Sequence, residues 1–219
     1  MKNRSDTNLI LTRILRVFFY LLYQPMSWSY DLVSWVVSWG RWKIWINEIL
    51  PYISGSSVLE FGHGPGHLQV TLLSKDIKII GIDSSRQMGQ HAKKQIRNHG
   101  YTPRLTHSYA QSLPFPKHVF DQIISTFPTA YIYDSETLKE AYRVLKPGGN
   151  LIVLPAAWIK GKNLVDRVLA SLFEVTCQSP SWDRSWLHPF IEAGFQTNAE
   201  TLTRETWSLV IITAHKSIN

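Results

Sequence analysis

Between Val58 and Leu68 the chain reads VLEFGHGPGHL, a carboxylate at Glu60 followed by glycines at 62, 64 and 66. Glycine admits positive φ and lets a ligand approach the backbone with no Cβ in the way. A helix starting near His67 turns its N-terminus toward this loop, which favours a carboxylate or a phosphate there. Asp83 ends the apolar run IKIIGID about 20 residues further on, where an acidic side chain in this kind of fold accepts both hydroxyls of a ribose. Loop, acid and spacing together point to a bound adenosine. Asp83 also has an ordinary reading, because an Asp or Ser ahead of SRQMGQHAKK is a helix N-cap; Asp83 can bind ribose while Ser84 or Ser85 caps. Nicotinamide dinucleotides use a similar pair, but their fingerprint is G-x-G-x-x-G, and the order here is E-x-G-x-G-x-G.

The elements that must position these residues begin at Ser54. SSVLEFG, IKIIGID, VFDQIISTF and NLIVLPA are apolar runs of strand length. They alternate with GHLQVTLLS, SSRQMGQHAKKQIRNHG and SETLKEAYRVLKPGG, whose spacing predicts helices. Such alternation implies a mostly parallel sheet with right-handed crossovers. The tail reads as helix (FIEAGF), strand (FQTNAETLTRET) and strand (WSLVIITAHK), and a strand pair joined by a short turn must be antiparallel. At 219 residues the chain has room for one α/β domain.

Several motifs arrive in one order between Val58 and about Leu154: VLEFGHGPG, IIGIDSS, AQSLPFPKHVFDQII and EAYRVLKPGGNLIVL. In that order the segment resembles the class I S-adenosylmethionine-dependent methyltransferases. The resemblance implies a Rossmann-like α/β fold whose seven-stranded sheet is mostly parallel with an antiparallel last strand, covered by an N-terminal helical lid. Residues 1–50 would be the arm and lid, and 51–219 the S-adenosylmethionine-binding domain. By the same resemblance Gly62, His63, Gly64 and Gly66 would line the methionine half of the cofactor, with Glu60 taking its amino group directly or through water. Asp83, with Ser84 beside it, would take the ribose hydroxyls, Met88 would lie near the adenine, and the backbone at Ala110 and Gln111 would read the adenine edge. Ser125, Thr126 and Phe127 would sit beside the sulfonium. One departure is Tyr109, which stands where relatives often carry an Asp that accepts from the adenine amino group.

A methyl group on a sulfonium is already activated, so the implied transfer is an in-line displacement governed by positioning and exclusion of water. A base is needed only when the nucleophile must lose a proton, which leaves the catalytic residue open. Candidates are His63 and His67 in the loop, and Tyr30, Tyr131 and Tyr133, which would also face substrate. The asparagine-proline-proline-tyrosine pattern of many amino methyltransferases is missing from STFPTAYIYD, which disfavours methylation of a base or a glutamine. The scattered histidines suggest no metal site. Nucleic acid is disfavoured too, because no basic cluster alternates with aromatics.

Net charge is +7, and the one cysteine, Cys177, excludes a disulfide framework and indicates a reducing compartment, expected to be the cytoplasm. Leu9–Pro25, LILTRILRVFFYLLYQP, is broken by Arg13 and Arg16, so its uninterrupted apolar run falls far below the ~20 residues of a spanning helix. Arg13, Arg16, Tyr20 and Gln24 share one side of a helix, which suits either a helix lying in a membrane interface or an arm packed over the core. Five tryptophans follow at 28, 35, 39, 42 and 45, and the first four share a helical face. They are either core packing or the wall of an apolar or cationic substrate site. Tyr30–Trp45, YDLVSWVVSWGRWKIW, is similar to the opening segment of ubiquinone and menaquinone C-methyltransferases and of bacterial phospholipid N-methyltransferases. The leading expectation is a membrane-touching methyltransferase of a lipid or prenylated quinone precursor. The competing expectations are a methyltransferase of a soluble metabolite and a cofactor-binding module without catalysis. QSPSWDRSW, 178–186, is a candidate piece of substrate wall, and the oligomeric state stays open.

Overall fold

The computed structural model describes residues 42–160 and 182–218. Its elements run α1 (Trp42–Asn47), β1 (Ser57–Phe61), α2 (His67–Leu73), β2 (Lys78–Asp83), α3 (Arg86–Asn98), β3 (Leu105–His107), β4 (Phe120–Thr126), α4 (Ser135–Val144), β5 (Leu145–Ile159), α5 (His188–Glu192), β6 (Gln196–Thr203) and β7 (Trp207–His215). Short 3-10 turns at Leu50–Tyr52, Ala130–Tyr133 and Arg184–Leu187 link them. The arm at Leu9–Pro25, Tyr30, the tryptophans at 28, 35 and 39, Cys177 and the first part of QSPSWDRSW lie outside the described residues.

The seven strands form one sheet in the order β3-β2-β1-β4-β5-β7-β6. Val58 of β1 pairs with Ile79 of β2 on one side and Gln122 of β4 on the other, both parallel. β7 runs antiparallel to β5 and to β6, as the hairpin reading of the tail requires. A parallel sheet is covered on both faces, so its strands are apolar at successive positions rather than at alternate ones. Thus Leu59, Phe61, Ile123, Leu151 and Val153 meet Leu138, Ala141 and Val144 of α4 and Phe190 of α5. Val58, Ile79, Ile124, Ile152 and Leu154 meet Leu68 and Leu72 of α2 and Trp45, Ile46 and Ile49 at the N-terminal end of the described chain.

Two elements differ from the sequence expectation. SETLKEAYRVLKPGG does not stay helical to its glycines: α4 stops at Val144, because Leu145 already pairs with Phe120. The pairing then resumes at Gln122 with Asn150, so Lys146–Gly149 bulge out of register. Gly148 has φ +76, and a Cβ on Gly149 would stand 2.8 Å from the Asp121 carbonyl oxygen. Lys146 holds the bulge against the Asp121 carboxylate at 2.6 Å, and the buried Lys216 donates to the Tyr142 and Leu145 carbonyls at the end of α4. β5 also outlasts NLIVLPA, continuing to Ile159 along β7 after a register shift between Val153 and Ala156. Pro155, with no N–H to give, sits in that shift.

Candidate active site

The strand order turns at β1, which has β2 on one side and β4 on the other, and β4 leads outward to β5. Crevices that bind ligands in open α/β sheets lie at such a switch point, beyond the carboxyl ends of the strands. A cavity of about 380 Å³ opens there, lined by Gly62 and Gly64 after β1, Asp83, Ser84 and Met88 after β2, Ala110 and Gln111 after β3, and Thr126, Phe127 and Tyr131 after β4. Residues from four separate expectations therefore share one wall.

The three loop glycines are required for different reasons. Gly62 has φ +67, and a Cβ there would stand 2.8 Å from the Tyr131 hydroxyl. Gly66, φ +89, is the N-cap of α2, and a Cβ would meet Ala92 of α3 at 3.0 Å. Gly64, φ +51, faces open space, and its bareness keeps the cavity clear. The amides are already used. Gly62 and His63 donate to the Ile82 carbonyl, Gly66 to that of His63, and Gly64 to Asp83 Oδ2 at 2.9 Å. A loop that cradled a phosphate would need those N–H groups free, so this one provides room rather than anion contacts.

The charge on the walls is negative. Asp83 Oδ1 accepts from the Ser85 amide at 2.8 Å while Oδ2 holds Gly64, and Ser85, not Asp83, caps α3 through Met88. Beneath the loop, outside the cavity lining, Glu60 is buried and accepts from Gln69 Nε2 at 2.6 Å. Burial pushes its carboxyl up to about 8, opposed by the Gln69 hydrogen bond and reinforced by the nearby Asp83. Asp83 on the wall, a Glu60 carboxyl behind it that can ionise toward a cation, and loop amides that already have partners suit a ligand that carries positive charge and ribose hydroxyls.

On the β4 side Ser125 donates to the Phe61 carbonyl at 3.1 Å, which leaves its oxygen to accept from Tyr131 at 3.0 Å. Burial raises the Tyr131 phenol well above its ordinary value, so the group keeps its proton and acts as a donor. Phe127 has φ +49, a left-handed conformation costly for an aromatic residue. Its amide donates to Leu154 at 2.7 Å, and its ring lies 6.2 Å from that of Trp45.

Other candidates sit elsewhere. Ser125 and Gly66 support the walls from behind, and His63 turns away to donate from Nδ1 to the Gly64 carbonyl at 2.7 Å. His67 accepts from Gln95 at 2.8 Å. Tyr133 packs edge-on against Trp186 and Phe190, its hydroxyl buried and, among the described residues, unpartnered. Ser108, Pro128 and Thr129 line the cavity without having been expected to, although Ser108 and Pro128 directly flank Tyr109 and Phe127, and Thr129 lies between Phe127 and Tyr131. Gln69 was also missed; nine residues after Glu60, on the inward face of α2, its position was the available signal. Tyr109, 62% exposed, stands at the cavity rim.

Residues 58–149 match the family described as a methyltransferase domain. The chain is 32% identical over 143 residues to the ubiquinone/menaquinone biosynthesis C-methyltransferase of Wigglesworthia glossinidia brevipalpis, covering 61% of this chain and 57% of that protein. It is 30% identical over 145 residues to the demethylmenaquinone methyltransferase of Symbiobacterium thermophilum, covering 62% and 58%. The matched region therefore spans less than two thirds of either relative. Among solved structures, a SAM-dependent methyltransferase from Thermotoga maritima superposes with a TM-score of 0.63 at 22% identity, covering 90% of this chain and 98% of that one. With the switch-point cavity and Asp83 on its wall, these matches show that residues 58–149 resemble a methyltransferase domain and that the sheet has the Rossmann-like α/β fold of the class I S-adenosylmethionine-dependent methyltransferases.

Proposed function

We propose that the protein methylates an apolar ring compound of the prenylated quinone-precursor kind, taking the methyl group from S-adenosylmethionine. The cofactor supplies an activated methyl on a sulfonium. The chain's own part is to hold and orient: Asp83 for the ribose, Glu60 behind the loop for the amino group, Ala110 and Gln111 for the adenine edge, and Gly64 for space. The carrying observation is the wall composition. Among the described residues that line the cavity, Asp83 is the one carboxylate, no histidine is present, and the β4 end offers Phe127, Pro128, Thr129 and a protonated Tyr131. Such a wall suits an acceptor whose own electron-rich ring carbon is the nucleophile and needs little help from a base. The two quinone-pathway relatives at 30% and 32% identity support the same substrate class.

Part of this reading is that the N-terminal arm brings the enzyme to the membrane in which prenylated substrates dissolve. The support is the pattern of Leu9–Pro25 alone; among the described residues no helix is long and apolar enough to cross a membrane. The test is to incubate the full chain with methyl-labelled S-adenosylmethionine and a cell extract, then separate organic from aqueous products. Label in the organic phase, on a molecule of quinone type, is the expected result. Label confined to the aqueous phase would overturn the substrate class, and no label anywhere would turn the reading toward a cofactor-binding module.

A further inference from the structure

A second cavity, of about 310 Å³, lies on the far side of Asp83, between α3 and the edge strand β3. Arg86, Gly89 and Lys93 line it from α3 at positions i, i+3 and i+7, one stripe of the helix. His107 closes it from β3, and His63 and Asp83 form its inner wall. Three features set this cavity apart from an ordinary surface groove. Arg86 and Lys93 are exposed and, among the described residues, make no hydrogen bond or ion pair. Gly89 sits inside a 13-residue helix, where glycine weakens the element relative to alanine. Nothing lies within 4 Å of where its Cβ would be, so packing does not demand the glycine. What it does is leave the floor of the cavity open between two cations.

Against these two cations stands one carboxylate. Asp83 faces the cavity, but its two carboxylate oxygens already accept from Gly64 and Ser85. His107 uses Nε2 to donate to the Ser84 carbonyl at 3.0 Å, which fixes its ring at the rim. We propose that this cavity binds the phosphate group of a small ligand, with Arg86 and Lys93 as the anion contacts and the bare Gly89 backbone as its floor. A guanidinium offers paired donors that match phosphate oxygens, and a lysine adds a compact charge. The cavity adjoins the cofactor cavity across Asp83 and Ser85, and its existence does not depend on which acceptor is methylated. The phosphate belongs either to a soluble metabolite or to a lipid headgroup.

The experiment titrates inorganic pyrophosphate into the full chain by calorimetry at low and raised salt. A parallel arm sediments the protein with phosphatidylcholine vesicles with and without phosphatidic acid. Wild type is expected to bind, less tightly as salt rises. The Arg86→Ala/Lys93→Ala variant should lose about tenfold or more in affinity, as expected when charged hydrogen-bond donors are removed. Gly89→Leu keeps both charges, fills the floor, and should abolish binding. Unchanged affinity of both variants for S-adenosylhomocysteine would show that they fold. Pyrophosphate binding without vesicle binding assigns a soluble ligand; vesicle binding that pyrophosphate displaces assigns a headgroup. If wild type binds neither probe, or Gly89→Leu binds as well as wild type, the proposal is overturned.

Discussion

Glu60 and Asp83 carry the same chemical group in two environments, and the difference sets their separate consequences. The folded carboxyl of Glu60 is raised from 4.5 to about 8 by burial. Its contribution to stability is therefore fully present below pH 4.5 and is lost as pH rises through about 8, because the folded state must then hold a buried charge. In denaturant titrations across that window the wild type should lose stability relative to Glu60→Gln. A cationic cofactor favours the ionised form, so its binding near neutral pH should expel a proton from Glu60. Calorimetry in buffers of different ionisation enthalpy would reveal this release, and Glu60→Gln should diminish it; identical buffer dependence in both proteins would remove Glu60 from the site. Asp83 is a matter of contacts, and Asp83→Ala should weaken S-adenosylhomocysteine binding by about 1.5–3 kcal/mol, the scale of hydrogen bonds to a charged group. Normal affinity in that variant would mean that the ribose lies elsewhere. Both acids could be found in the sequence from their spacing to the glycines. Gln69 was harder to find, because only its place on the inward face of α2 hints at the contact with Glu60, and no residue type marks it.

Among the elements, the junction of α2 and α3 depends on a single missing methyl. Gly66 combines φ +89 with a Cβ position 3.0 Å from Ala92 Cβ and 3.1 Å from its Cα. Gly66→Ala should cost about 2–3 kcal/mol, the sum of left-handed strain and overpacking between two helices. Thermal unfolding would measure it, and a loss no larger than that of a surface substitution would refute the packing account. The strands β1, β2, β4 and β5 were legible because each is an apolar run buried on both faces. β3 was not: Leu105–His107 is three residues long, none of them buried, and pairs on one side only. Nor did the KPGG bulge show in the pattern, since a glycine pair reads equally as the end of a helix. Its true place was decided by the Phe120–Leu145 pairing and by Lys216, 71 residues away from the Leu145 carbonyl it holds.

At the scale of the whole molecule, the charge of +7 is compatible with an anionic surface without demanding one. If the arm has an interfacial role, the chain lacking Leu9–Tyr23 should no longer sediment with anionic vesicles while S-adenosylhomocysteine affinity stays within about twofold, a change worth only a few tenths of a kcal/mol. Retained sedimentation would assign the arm to core packing instead. The acceptor was the least legible property of all, because cavity walls come in part from loop residues of irregular spacing such as Pro128 and Thr129. A different consequence follows from where β7 sits. It is the last of the seven strands in chain order, yet it lies between β5 and β6. Trp207–Ile212 are buried without a break; Val210 and Ile212 face one core layer, Leu209 and Ile211 the other. While the chain is being synthesised, β5 must wait with an open edge and two uncovered apolar layers until β7 has left the ribosome. A nascent chain halted short of Trp207 would be a sticky half-sheet, held from aggregation only by chaperones.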